Sequence, residues 1–379
     1  MPLSRGRSFV ILGLGLAALP ASAAYTAENY RDVRWLGRGN AGVAVAAGGA
    51  SAFYNPAGLA DTQDVSFNLL DFSLGTNNHA INSVQEISTL TSSGTTLGEK
   101  FQPLLGKPMA LQGSFFPHIQ VPGFLLGYYN YLSVDVEYRN PVYPELGLDA
   151  RRDWGIVLGA ATHWRKKVFF GASLRYVKRT TLDEKLTAAS IFDLDASYLR
   201  TLMITGDAWA INAGVKVKES IGANGWAALG LAVEDLGQTR FKNNDLDALA
   251  PEPQNMKINV GTAYGMKAGG SAEVALLFDI RRVNERNESY SKKLYMGTEA
   301  GIGWIMARAG LYQGYWTLGL TTDIGIGMLD VATYGEELGA AAGQRGSRVY
   351  VAGLRMGLDG VFGKRSKPRK KQQQILDRY

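Results

Sequence analysis

The stretch that decides the fold is Trp154 to Trp164, WGIVLGAATHW. Taken alternately, one face reads Trp154, Ile156, Leu158, Ala160, Thr162 and Trp164, and the other reads Gly155, Val157, Gly159, Ala161 and His163. Side chains on a strand alternate between two faces, so this is a strand with one apolar face that carries an aromatic at each end. Ten residues at about 3.3 Å each make about 33 Å of strand. Tilted by about 40°, that length rises about 25 Å, the height of the apolar band between the aromatic girdles of a membrane barrel. Strands of soluble proteins usually stop at about 5–6 residues.

Neighbouring stretches repeat the pattern. Phe124, Leu126, Tyr128, Asn130, Leu132, Val134, Val136 and Tyr138 alternate with residues that include Gly127, Ser133, Asp135 and Glu137. Val168, Phe170, Ala172, Leu174 and Tyr176 oppose Gly171, Ser173 and Arg175, and Met256 to Tyr264 opposes Lys257, Asn259 and Gly261. Ala272 to Ile280 opposes Glu273, Asp279 and Arg281, and Tyr350 to Leu358 opposes Gly353, Arg355, Gly357 and Asp359. One face is apolar and the other bears charge and glycine, as lipid and a wet or plugged lumen demand. A soluble β-sandwich would have shorter strands.

Working outward, about fourteen strands are expected, an even number as single-chain bacterial barrels have. They fall near 64–75, 108–117, 122–138, 150–164, 167–182, 203–218, 224–238, 255–267, 271–283, 292–303, 305–313, 315–323, 325–335 and 347–361. Tight turns are expected at Asn224-Gly225 and Gly269-Gly270, and longer links over 184–202 and 239–254 at the opposite end. Ser190 to Leu199 reads as a short surface helix. The fold class is therefore all-β, a transmembrane antiparallel barrel.

The ends of the chain have their own character. Arg5 and Arg7, the apolar run FVILGLGLAAL over 9–19, Pro20 and the small triplet Ala21-Ser22-Ala23 are the parts of a secretory signal in order. The apolar run is shorter than the roughly 20 residues of a membrane-spanning helix. The expected division is a signal peptide over 1–23, a plug over 24–62, a barrel over 63–362 and a basic periplasmic tail over 363–379. That tail has seven basic residues against Asp377, which equals the formal net charge of the whole chain, +6. Arg5 and Arg7 add +2, which leaves −2 for the rest, so the charge describes two ends rather than a basic domain and argues against a nucleic-acid partner.

Between signal and first strand lies RWLGRGNAGVAVAAGGASAFYNPAGLA, Arg34 to Ala60. It is too small-residued to face lipid, and we read it as a plug folded inside the barrel, where small side chains allow close backbone packing. Its Gly37-Arg38-Gly39-Asn40-Ala41-Gly42 fits a dinucleotide fingerprint, but no strand–helix–strand unit surrounds it. We read it as a chance match.

The run LGRGNAGVAVAAGGASAFYNPAGLA resembles the N-terminal hatch of the long-chain fatty-acid outer-membrane transporters (FadL/TodX-like), and equally their PorV-type relatives. In both, a glycine and small-residue run leads into an Asn-Pro-Ala motif, here Asn55-Pro56-Ala57. The closing stretches LYMGTEAGIGW, IMARAGLYQG, YWTLGLTTDIG and RVYVAGLRMGL are similar as well. The resemblance implies a 14-stranded barrel with an N-terminal plug. Such barrels end on an aromatic that closes the last strand; here Phe362 would be that residue, and the basic tail follows it.

Enzyme chemistry finds little footing. The chain has no cysteine, so thiol catalysis, thiolate metal sites and disulfides are excluded. Its three histidines, His79, His118 and His163, are far apart, and only His163 falls clearly on a lumen position. No nucleophile elbow, zinc-protease helix or P-loop is present. The expectation is a protein that is not an enzyme and holds no cofactor or metal. Asn55, Pro56 and Ala57 are candidate gating residues, with the simpler role of fixing a turn in the plug. Arg175, Lys257 and Arg355 point inward, where they would meet a carboxylate head group or pair with lumen acids such as Asp135, Glu273 and Asp279. Expected partners are outer-membrane lipid, a hydrophobic small molecule and, through the tail, another protein. Apolar residues of the long links, Ile191, Phe192, Leu194, Tyr198 and Leu199, are expected to line an outer pocket. The function so read is uptake of hydrophobic molecules such as long-chain fatty acids across the outer membrane. The alternative is a PorV-like scaffold that transports nothing.

Overall fold

The computed structural model describes residues 28, 30–62, 65–84, 104–139, 145–187, 196–243, 249–267, 272–302, 304–325, 327–339 and 341–357. The expected signal peptide, the basic tail, the Gly269-Gly270 turn and the loop residues Ile191, Phe192 and Leu194 lie outside them. Among the described residues, fifteen strands form one antiparallel sheet that closes on itself. They are β1 (Ser66–Asn77), β2 (Met109–Phe115), β3 (His118–Val121), β4 (Phe124–Arg139), β5 (Glu145–Trp164), β6 (Val168–Thr187), β7 (Ile204–Ile221) and β8 (Gly225–Glu234). The second half comprises β9 (Lys257–Lys267), β10 (Ala272–Ile280), β11 (Leu294–Ile302), β12 (Ile305–Tyr312), β13 (Tyr315–Asp323), β14 (Met328–Glu337) and β15 (Gly346–Gly357). From β4 to β15 every strand pairs with its sequence neighbours, β2 and β3 each pair with β1 and β4, and β1 closes the barrel against β15.

β2 and β3 lie end to end between β1 and β4, so fifteen strands make fourteen staves. The expected strand 108–117 is therefore broken near its end. Pro117 has no N–H to give to a ladder. Phe116 turns fully inward, and its N–H reaches the carbonyl of Asp71 at 2.7 Å. The adjacent strand β1 shifts register between Asn68 and Leu70, so the wall is irregular on both sides of this point.

Side chains sort as the alternation requires. Ile156 and Leu158 are 49% and 48% exposed while Val157 between them is fully buried, so the even-numbered face of β5 looks outward to lipid. β5 and β6 begin and end about five residues beyond the expected 150 and 182. The extra length rises past the apolar band. The reversal expected at Asn224-Gly225 runs over 222–224, with Gly222 at φ +63° and Gly225 already in β8. The long links sit at one end together with the two-residue turn 313–314, and the other short links, such as 122–123 and 165–167, sit at the opposite end. The surface helix expected over 190–199 appears as α4 (Ala196–Leu202), which runs three residues further, while 190–195 lie outside the described residues; it follows α1 (Val33–Gly37), α2 (Ser51–Tyr54) and α3 (Asn78–Asn82). A short helix, α5 (Tyr290–Lys293), precedes β11.

The lumen is not empty. Residues 30–61 fold inside it and are buried almost throughout. α1 packs on β12–β15, while a 3-10 turn over Pro56–Asp61 packs on β4–β7. The main apolar cluster is thus made jointly by plug residues such as Trp35, Phe53, Tyr54 and Leu59 and wall residues such as Tyr129, Val157, Tyr295 and Tyr334.

Candidate functional site

The Asn-Pro-Ala corner shows how the plug is held. Asn55 is fully buried. Its Oδ1 accepts from the Ala57 N–H at 3.1 Å and so caps the 3-10 turn that Pro56 begins. Its Nδ2 donates to the carbonyl of Val43 at 2.7 Å, within the plug, and to that of Val215 on β7 at 3.2 Å. One side chain therefore ties the turn to itself, to the preceding plug segment and to the wall. Gly171 and Gly214, directly paired across β6 and β7, are the landing place. A Cβ on Gly171 would lie 2.4 Å from the backbone of Pro56, and one on Gly214 would lie 2.0 Å from Asn55 Oδ1. The next inward pair, Ser173 and Asn212, donates twice to the carbonyl of Ala52, at 2.7 and 3.2 Å.

The glycines of the false dinucleotide match serve the same end. Gly37 packs on Gly319, where an added Cβ would meet the other's Cα at 2.8 Å. Gly39 has φ +71° and lies against the backbone of Met296 and Leu311. Thr317 Oγ1 accepts from Gly39 N–H and donates to the Gly37 carbonyl, at 2.9 and 3.0 Å. The N–H groups of Gly42 and Val43 form a small anion cradle, and Asp279 of β10 fills it, at 2.6 and 2.9 Å.

The three candidate cations inside the barrel meet acids, but other ones than expected. Arg175 meets Asp235 and Arg355 meets Asp330, each at 2.8 Å. Lys257 opens β9 directly opposite Glu234. The acids proposed for these cations are engaged elsewhere: Asp279 with plug amides, Asp135 with Ser133, and Glu273 with the Trp226 N–H. The plug supplies further pairs. Arg31 bridges Glu28 and Glu336, at 3.6 and 2.7 Å, and Arg281 bridges Glu28 and Glu234, at 3.5 and 3.1 Å. Arg38 and Arg308 share Glu299 at 3.2 and 2.5 Å. At the short-turn end, Asp61 takes Lys216 and Lys218 at 2.8 and 3.2 Å. Burial works to raise the pKa of Glu28 and of Asp61, but the neighbouring cations outweigh it and hold both carboxyls below their ordinary range.

Two expectations change. His163 keeps the inward face of β5, 6.0 Å from the buried Phe169 ring, but at its exposed rim, and it is not the one inward histidine: His118 is buried, stacks on Phe116 at 4.4 Å and bonds the Phe116 carbonyl and Asn68. Tyr198 does not line a mouth. It packs, with Leu202, on the outward side of the β4–β6 extension against Tyr138, Leu146 and Leu186. Among the described residues, no group of three or more metal-ligating side chains converges.

The break in the second stave adds a feature that alternation alone does not show. Behind it, Phe116 meets Tyr30 and Phe53 of the plug at ring separations of 5.3 and 5.2 Å. Phe53 also meets Tyr129 of β4 at 5.5 Å. On the outward face, Ile119 and Val121 of the stave's second piece join Phe124, Leu126, Leu158 and Leu174 in lining an apolar cleft of about 590 Å³ that runs across β3–β7. The one legible sign of this site is Pro117 within an otherwise strand-like run.

No protein-family model matches the chain. No curated protein matches it. Three solved structures are similar to it at low identity. The toluene transporter TodX of Pseudomonas putida is 11% identical over 88% of this chain and 98% of its own, with a TM-score of 0.49. The Ralstonia pickettii toluene transporter TbuX and the monoaromatic hydrocarbon channel CymD are each 12% identical, over 85% of this chain and 96% of theirs, with TM-scores of 0.45.

Proposed function

We propose that this protein is an outer-membrane channel for apolar solutes, such as long-chain fatty acids, which pass through the wall rather than down the lumen. The observation that carries the reading is the broken stave at Phe116-Pro117. An irregular wall and an aromatic cluster of the plug meet there, and the apolar cleft of the outer wall begins two residues further along the stave, at Ile119. A lumen filled by paired charges and plug backbone opposes polar solutes by steric closure. Apolar solutes need a path that avoids those charges, and the aromatic lining supplies one. No catalytic group is needed.

The test is uptake by cells that lack other apolar channels. Cells that make the protein are expected to accumulate a radiolabelled long-chain fatty acid several-fold faster than cells that do not, with sugar entry unchanged. Equal rates of fatty-acid uptake would remove the proposal. One observation favours a second reading, a non-transporting scaffold. The plug is held by many buried ion pairs and by glycine contacts with the wall, a construction suited to staying in place.

A further inference from the structure

Above its short turns, where Glu219 pairs with Lys167, the outward face of β4–β7 is uncharged up to one sharp boundary. Over Phe124–Tyr128, Ile156–Thr162, Phe170–Tyr176 and Trp209–Val217, the outward positions are all apolar or hydroxyl. The boundary is a row of aromatics: Tyr128, Tyr176 and Trp209 stand in register across the strands, with Trp154 one step higher on β5. Directly above that row come Arg152 on β5 and Lys178 on β6. Lys178 is paired in register with Trp154 on one side and Asp207 on the other. Asp207 in turn forms an antiparallel bridge with Lys242, and directly opposed residues point to the same side of a sheet. Phe241, one residue earlier, faces inward under Arg179, which places Lys242 outward.

Arg152, Lys178 and Lys242 thus stand together on the outer wall, with Asp207 between the two lysines as the one acid among the described residues of the patch. Lys178 and Lys242 flank Asp207, about 10 Å apart at two strand spacings. Arg152 is exposed and hydrogen-bonded through Nε to Asn130 Oδ1 at 3.3 Å; the Lys178 ammonium lies 5.7 Å from the Trp154 ring. Neither is held in an ion pair with a carboxylate within bonding distance among the described contacts. A cation on the lipid face is costly at mid-membrane and costs little near the interface. Ten residues of tilted strand below Trp154 already use about 25 Å of apolar height. These cations therefore sit at headgroup level, where aromatic belts lie.

We propose that this patch binds the phosphate groups of an anionic lipid in the leaflet at the long-loop end of the barrel. Arg152 supplies a forked donor, the two lysines supply point charges, and Trp154 and Trp209 receive the upper acyl region. The choice of leaflet rests on the outer-membrane reading above; the binding itself does not depend on transport.

The test uses the purified full chain in detergent. Binding is measured for a deep-rough lipopolysaccharide with both glucosamine phosphates and for the same lipid dephosphorylated. Wild type is expected to bind the phosphorylated lipid at least tenfold more tightly, with affinity that falls as salt rises. Arg152→Gln/Lys178→Gln/Lys242→Gln is expected to lose at least tenfold, and Lys166→Gln/Lys167→Gln at the opposite end to lose nothing. Heat-dependent gel migration checks that each variant is folded. If the triple variant fails to fold, Lys242→Gln, which lies outside the strands, takes its place with an expected loss of at least threefold. Equal binding by folded variant and wild type, or equal binding of the dephosphorylated lipid by wild type, would overturn the site. A protein that binds the lipid but takes up no fatty acid removes the transport proposal and leaves this one standing.

Discussion

Gly214 and Asn55 offer a direct measure of how the plug is anchored. Gly214→Ala would put a Cβ 2.0 Å from Asn55 Oδ1, 2.9 Å from its Cγ and 3.2 Å from Pro56 Cδ. The Asn55 side chain cannot simply swing aside, because its amide is bonded to Ala57, Val43 and Val215. Overpacking of this kind costs about 1–3 kcal/mol. Asn55→Ala alone leaves buried partners unsatisfied, at about 1–3 kcal/mol. In the double variant, the atom that clashes with the new Cβ is gone. The two costs should then fail to add by about 1–2 kcal/mol, about a tenfold factor in the ratio of open to closed plug. Conductance of single barrels in planar bilayers reads that ratio as the fraction of time spent conducting. Each single variant should leak more than wild type, and the double variant about tenfold less than the product of the singles predicts. Additivity to within about 0.5 kcal/mol would refute the anchoring geometry.

Removal of Arg34 to Ala60 should leave a barrel that still shifts on unboiled gels, since wall hydrogen bonds are inter-strand, but conducts markedly more than the intact protein; a deletion variant that assembles and stays closed would contradict the occluded lumen. Leu158→Arg should hinder assembly by about 2–4 kcal/mol at the lipid face. Val157→Arg should be at least as harmful, because Val157 is fully buried against the plug cluster rather than facing water, and normal assembly of that variant would show the lumen to be open there. Arg175→Met should destabilise the folded barrel by about 3–5 kcal/mol in urea titrations by stranding Asp235, and Arg175→Met/Asp235→Asn should recover much of it. The Asp61 latch contributes only while its carboxyl is charged. Its folded pKa lies below 3.8, so the contribution is present above that value and is lost as pH falls through the lowered one. Leak should therefore set in only below about pH 4, not at pH 5–6, and Asp61→Asn should abolish that step.

How much of this was legible in the chain can be followed along β5. Its outward set, from Trp154 to Trp164, is readable because strand side chains have a period of two and lipid accepts only apolar groups along one face. The inward set is equally readable as a set: Arg175 and Arg355 point into the lumen as alternation requires. Their partners are not readable. Arg175 meets Asp235 and Asp279 meets Gly42, 60 and 237 residues away, because closure of the barrel brings many charges near one another and only the three-dimensional register selects among them. The Asn55-Pro56 corner announces a turn by itself, yet its grip on Gly171 and Gly214 exists only once β6 and β7 curve around it. Pro117 marks a weak point in any strand, since it lacks a donor. Whether that point becomes a bulge, an end or a break facing an aromatic cluster was decided by the plug behind it, which places Tyr30 and Phe53 where Phe116 must turn to meet them.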